Sequence, residues 1–141
     1  MSDPLIAEHS DDLIDLADLE KAVARAQALV AALTKAVAAD ICRNGQADRA
    51  LLEKHQTKAH GLAWYATYAE TLKESLGWAR TLEKTGQLSR TEKLILAIGC
   101  GEYLSQMAGG IPMSQTEIVR PGSVGASLRI FRHLWQSRWC V

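Results

Sequence analysis

No proline interrupts residues 50–84, and apolar positions recur through them at helical spacing. Leu52, His55, Ala59, Leu62, Ala66, Ala69, Leu72, Leu76 and Ala79 follow one another in steps of three and four. Such spacing keeps one side of an α-helix apolar. The helix is expected to start near Asp48 and to end at Thr85-Gly86. At about 1.5 Å per residue the stretch from Ala50 to Lys84 would be roughly 50 Å long. One short neighbour cannot cover that length, so other segments, or a second copy of the chain, must lie along it.

The preceding segment supplies the first of these neighbours. Leu19, Val23, Ala26, Val30, Leu33, Val37 and Ile41 step by four and three, close to a heptad seam whose alanines allow near approach. Ser10 or Asp11 can cap this helix, and Asp11, Asp12 and Asp15 suit the positive end of its dipole. Asn44-Gly45 reads as the stop, since glycine accepts the left-handed conformation that ends helices. The short connection predicts an antiparallel helical hairpin. Gly61 and Gly77 inside the central helix each cost about 1 kcal/mol relative to alanine, which points to close helix contact at both.

Ser89-Arg90-Thr91-Glu92 has the capping-box pattern and opens a third helix that runs to Met107 or Ala108. Its body, Leu94-Ile95-Leu96-Ala97-Ile98, is apolar nearly all round and is expected to be the most buried segment of the chain. After Gly109-Gly110, the run Ile111-Pro112-Met113 should be extended, because proline disfavours helix in the residue before it. Ser114-Gln115-Thr116-Glu117 repeats the capping pattern and reads as a turn or short helix. Ser123–Trp139 places Leu128, Phe131, Leu134, Trp135 and Trp139 on roughly one side, and is expected to dock as a short C-terminal helix.

The fold class is therefore all-α and bundle-like: a long antiparallel helical hairpin, a buried third helix and a short C-terminal helix. The 141 residues fit a single helical domain, 1–141, with a loose acidic lead over 1–10 and an atypical tail over 122–141. Sixteen basic and sixteen acidic residues cancel, so no overall field favours nucleic acid or an anionic membrane. The arginines Arg129, Arg132 and Arg138 make too weak a footprint to change that. Cys42, Cys100 and Cys140 lie far apart without a Cys-x-x-Cys pair, and no signal peptide is visible. The longest uncharged run in the alanine-rich region, Ala26–Thr34, falls short of the roughly 20 residues of a membrane span. A soluble, cytoplasmic protein is expected.

Candidate chemistry is sparse. His55 and His60, five residues apart on a helix, point about 140° apart and cannot share one ion, so no metal site is expected. His60, Trp64 and Tyr68 share a face at intervals of four. They form either a ladder for a ligand or a packed seam in which each polar tip finds a hydrogen bond. Gly99-Cys100-Gly101-Glu102 lacks the strand-turn-helix context of a nucleophile elbow and reads as a buried helix cysteine, with glycines admitting a neighbouring helix. Glu70, Lys73 and Glu74 read as a solvated face. Gly109-Gly110 lacks the Gly-Lys-Ser/Thr of a phosphate loop.

The run from His60 to Tyr68 with Glu70 and Leu72, then Gly101-Glu102-Tyr103-Leu104, then Gly109-Gly110-Ile111-Pro112-Met113-Ser114-Gln115 with Glu117, resembles a helical region of bacterial acyl-CoA dehydrogenase-like flavoproteins. The resemblance covers about residues 48–121. It implies a helical segment belonging to a flavin enzyme, and it makes His60, Trp64, Tyr68, Glu102, Tyr103, Gly109, Gly110, Pro112, Met113, Ser114 and Gln115 the candidate interface or ligand face. No catalytic glutamate and no FAD-binding motif can be placed on this sequence, so no catalytic or cofactor residue is carried over. After Pro121 the similarity fails, which fits a truncated or frame-altered product.

Two readings stay open. In the first, the chain is a non-catalytic helical packing or interaction module, binding no FAD itself and pairing as a homodimer or with a helical partner protein. In the second, it is a subunit or fragment that contributes to an FAD- and acyl-CoA-binding dehydrogenase once a partner supplies the missing domains.

Overall fold

The computed structural model describes residues 13–127. Helix α1 spans Leu16–Ile41. The Asp15 side chain accepts from the Ala17 amide at 2.7 Å and caps its first turn. Leu19, Val23, Ala26, Leu33 and Val37 of the expected seam are buried, and Leu29 joins them. By length and composition α1 is apolar enough to cross a membrane, with a mean hydropathy of 1.3 over its best window. Counting only uncharged runs had concealed this. Here the apolar side of α1 packs along the central helix.

Asn44 and Gly45, both at positive φ (52° and 79°), do more than stop a helix. They form the two-residue turn of a β-hairpin between β1 (Cys42–Arg43) and β2 (Gln46–Ala47). Asn-Gly is the preferred pair for such a turn, because both central residues need positive φ. The central helix then comes in two pieces, α2 (Arg49–Lys54) and α3 (Gln56–Lys84). Asp48 caps α2 through its carboxylate and the Leu51 amide, and the break falls at His55. Thr85 and Gly86, at φ +68°, end α3 where expected.

Two cross-links fix the register of α1 against α3. Lys58 Nζ meets Asp40 Oδ2 at 2.6 Å near one end, and Arg80 Nη2 meets Glu20 Oε2 at 2.8 Å near the other. The spans between these contacts in the two helices are nearly equal, as an antiparallel pair requires. The buried face of α3 is Gly61, Tyr65, Tyr68, Ala69, Leu72 and Ala79. It is rotated from the expected stripe, since the large side chains at 65 and 68 lie inward while Leu62, Ala66 and Leu76 are only half-buried.

Helix α4 (Arg90–Gly109) starts on the expected capping box, with the Thr91 amide on Ser89 Oγ at 3.2 Å and the Ser89 amide on Glu92 Oε2 at 3.0 Å. The Ser89 hydroxyl also donates to Glu92 Oε2 and is the largest cause holding the Glu92 carboxyl below its ordinary range, with the backbone amides of Glu92 and Ser89 adding to it. The expectation that Leu94-Ile95-Leu96-Ala97-Ile98 is the most buried segment is wrong. Leu96, Cys100 and Met107 are buried, but Leu94, Ile95 and Ile98 are 36%, 57% and 71% exposed. Among the described residues the bundle packs on one side of α4 only, so a run that is apolar all round leaves most of itself outside.

Beyond α4, β3 (Ile111–Pro112) pairs antiparallel with β4 (Ile118–Val119), and Ser114 Oγ accepts from the amides of Thr116 and Glu117 in the connecting turn. The short helix α5 (Pro121–Val124) follows. Ile111, Val119 and Val124 fill the end of the core. The expected helix over Ser123–Trp139 lies, beyond Ser127, outside the described residues, as does the acidic lead, and α1 is capped by Asp15 rather than by Ser10 or Asp11 because the helix begins only at Leu16.

Candidate functional site

The helical spacing of His60, Trp64 and Tyr68 does produce a ladder. Successive ring centroids are 6.4 Å apart, and Trp64 Nε1 donates to His60 Nε2 at 3.1 Å. Tyr68 then crosses to α4, meeting the Tyr103 ring edge-on at 4.5 Å. Its hydroxyl donates to Gln106 Oε1 at 2.6 Å, and Gln106 Nε2 donates to Glu102 Oε1 at 2.5 Å. Five candidates, His60, Trp64, Tyr68, Glu102 and Tyr103, thus belong to one polar-aromatic seam between α3 and α4. Burial, then Tyr103 and Glu102, raise the Tyr68 hydroxyl above its ordinary pKa.

Gln106 is a member that the sequence reading missed. Its signal was its position three residues after Tyr103 and four after Glu102, on the turn facing Tyr68. Tyr65 was also missed. Its fully buried hydroxyl lies 3.2 Å from the Met107 carbonyl and 3.3 Å from the Val119 carbonyl. The one hydroxyl proton is shared between the last turns of α4 and strand β4. Burial drives this phenol well above the ordinary tyrosine range.

The other candidates form the hairpin that caps α4. Gly109 closes the helix, and Gly110 follows at φ +134°. A Cβ on Gly110 would fall 2.5 Å from Ile118 Cγ2, so glycine is required there on two counts. Pro112 is exposed in β3, Met113 is half-buried with its amide on the Glu117 carbonyl at 2.9 Å, and Ser114 and Gln115 are exposed in the turn. Tyr65 is the side chain that ties this hairpin to the seam's helices.

Cys100 is buried, and burial raises its thiol pKa. Gly99 and Gly101, expected to admit a helix, instead have open space where a Cβ would stand, and Gly77 is open too. A shallow groove of about 610 Å³ runs along Thr67, Glu70, Thr71, Glu74, Ser75 and Trp78. The three hydroxyls in it donate to carbonyls one turn back, and Lys73 pairs with Glu70 at 2.6 Å. The polar groups are spent within the helix. Among the described residues no cluster of three His, Cys, Asp or Glu side chains could hold a metal ion.

No protein-family model matches the chain. The chain is similar to the (2S)-methylsuccinyl-CoA dehydrogenase of Cereibacter sphaeroides, 41% identical over 117 residues. The match takes in 83% of this chain and 21% of that protein, so the chain spans about a fifth of its relative's length. The resemblance to a helical part of an acyl-CoA dehydrogenase-like protein stands on this identity.

Proposed function

We propose that the chain is a non-catalytic helical packing and interaction module, the counterpart of one helical part of an acyl-CoA dehydrogenase-like protein. The observation that carries it is the 41% identity confined to 21% of the dehydrogenase's length. The seam supports it: Tyr68, Gln106 and Glu102 spend their polar atoms on one another and hold α3 to α4. One turn earlier Trp64 donates to His60 within α3 itself. The candidate residues from His60 to Tyr103 and from Gly109 to Gln115 serve, on this reading, as an interface. The chain works in the cytoplasm, and its partners are a second copy or a helical partner protein.

The same partial coverage favours a second reading. The chain contributes to an FAD- and acyl-CoA-binding dehydrogenase when a partner supplies the remaining domains. One experiment separates the two. The purified chain is scanned for flavin absorption and assayed with an acyl-CoA and an artificial electron acceptor, alone and after mixing with a dehydrogenase body. The module reading expects neither flavin nor turnover from the chain alone. Stoichiometric flavin or turnover without a partner overturns it, and activity that appears only on mixing establishes the second.

A further inference from the structure

Ala22 is 4% exposed, yet it stands outside the core cluster that the described side chains form. Its own helix does not hide it, because Ala24, Ala28 and Ala31 elsewhere on α1 are exposed. Ala22 belongs to a line that steps by four and three along α1, from Asp18 through Arg25, Leu29 and Ala32 to Ala36. Every member of that line is buried or half-buried. At Ala36 the cover is visible: a Cβ on Gly125 would lie 2.9 Å from the Ala36 Cβ. Gly125 closes α5 in the left-handed region, and the described chain stops just beyond it, at Ser127.

We infer that residues 128–141 continue along this line as a helix antiparallel to α1 and supply the cover of Ala22. The first argument is where the chain is left, already seated on the line. Covalent delivery gives this segment an effective concentration on the order of millimolar, which a separate chain has to beat. The second argument is length. Beyond Ala36 only residues 37–41 of α1 remain in one direction, about 8 Å, whereas Ala22 lies about 21 Å away in the other. The 14 residues from 128 to 141 make a helix of about 21 Å.

The third argument is pattern. Leu128, Phe131, Trp135 and Trp139 recur in steps of three and four, so a helix here has one large apolar side. In the register that Ala36 and Ser127 set, Phe131 falls against Ala32, Trp135 against Leu29, and Trp139 against the stem of the half-buried Arg25. The contact holds under either reading of the function.

The test is a paramagnetic label on Cys140 of the full chain, in a Cys42→Ser, Cys100→Ala background where it is the remaining thiol. Position 140 falls level with Ala22 and Val23. The amides of residues 18–25 should therefore be broadened away, while those of residues 44–47, past the other end of α1, stay sharp. A mixture of labelled protein with isotope-enriched protein lacking the label should show no broadening, because the contact lies within one chain. Ala32→Glu puts a charge in the middle of the line and should abolish the effect with helix content unchanged, whereas Ala28→Glu, on the exposed side, should leave it. Weak broadening spread over the whole chain overturns the inference. So does broadening centred on residues 94–98 of α4, an Ala32→Glu variant without effect, or broadening in the mixture, which assigns the segment to a second copy. Broadening absent from α1, with Ala22 uncovered by deletion of residues 1–12, gives the cover to the N-terminal segment and overturns it as well. None of these outcomes involves flavin or turnover, so they leave both functional readings standing.

Discussion

Val119 packs directly on the backbone of Gly61: a Cβ built on Gly61 would lie 2.9 Å from Val119 Cγ1. Val124 Cγ2 stands at the same distance on the other side. The short hairpin after α4 and the end of α5 therefore press onto α3 at Gly61, where it has no side chain. Both neighbours are β-branched, with little rotamer freedom to give way.

Gly61→Ala should destabilise the chain by about 1–3 kcal/mol, the cost of overpacking between stiff side chains. Gly77→Ala, in open space on the same helix, should instead stabilise it by up to about 1 kcal/mol through helix propensity. Urea unfolding of the two variants should show midpoints moving in opposite directions. Equal shifts would mean that the contact at Gly61 is not tight.

Tyr65→Phe keeps the ring and removes the proton shared by the Met107 and Val119 carbonyls. A loss of about 1–3 kcal/mol is expected for leaving buried carbonyls less satisfied. Hydrogen exchange should speed up first in β3, β4 and the last turn of α4. Loosening spread evenly along α1 would contradict this.

The Asp40–Lys58 contact carries a pH dependence of known sign. The hydrogen bond from Lys58 is the main cause holding the Asp40 carboxyl below its ordinary value. A depressed folded-state pKa contributes stability above the unfolded carboxyl pKa of about 4, lost as the pH falls through the folded value. Lys58→Met should return Asp40 toward its ordinary titration and flatten the acid limb of the stability curve. Carboxyl NMR titration reads this directly, and an unchanged Asp40 would refute it.

Cys100 is buried and Cys42 half-buried, so the two thiols should differ in reactivity. In a Cys140→Ser background, Cys42 should react with a thiol reagent well before Cys100, which waits for local opening. Denaturant should erase the difference. Equal rates in the native protein would argue against the packing of α4 on α3.

Much of this architecture was legible from side-chain spacing. The α1 seam, the helix start near Asp48, the Ser89 box and the Thr85-Gly86 stop each follow from local rules, and each is where those rules put it. The burial of Leu94–Ile98 was misread, because an apolar run states what a helix can bury and not how many neighbours it has. The face of α3 was rotated because Tyr65 and Tyr68 count as polar in a stripe yet lie buried once their hydroxyls find partners. Asn44-Gly45 was read for one residue's backbone preference when the pair together encodes a hairpin. In the seam, His60, Trp64 and Tyr68 were visible as one face. Gln106 and Tyr65 were not, since their partners lie 38 to 54 residues away in sequence.

The turn at Asn44 and Gly45 also imposes an order in time. It leaves Asp40 and Lys58 only 18 residues apart along the chain, whereas the bonds of Tyr65 close spans of 42 and 54. Loop closure costs more entropy for longer spans, and local contacts form faster. The Asp40–Lys58 end of the α1–α3 pair should therefore form early, and the bonds of Tyr65 should close later, as should the Glu20–Arg80 contact, which spans 60 residues. Changes at the turn will set how quickly the chain folds, and changes around Tyr65 will set how long it stays folded.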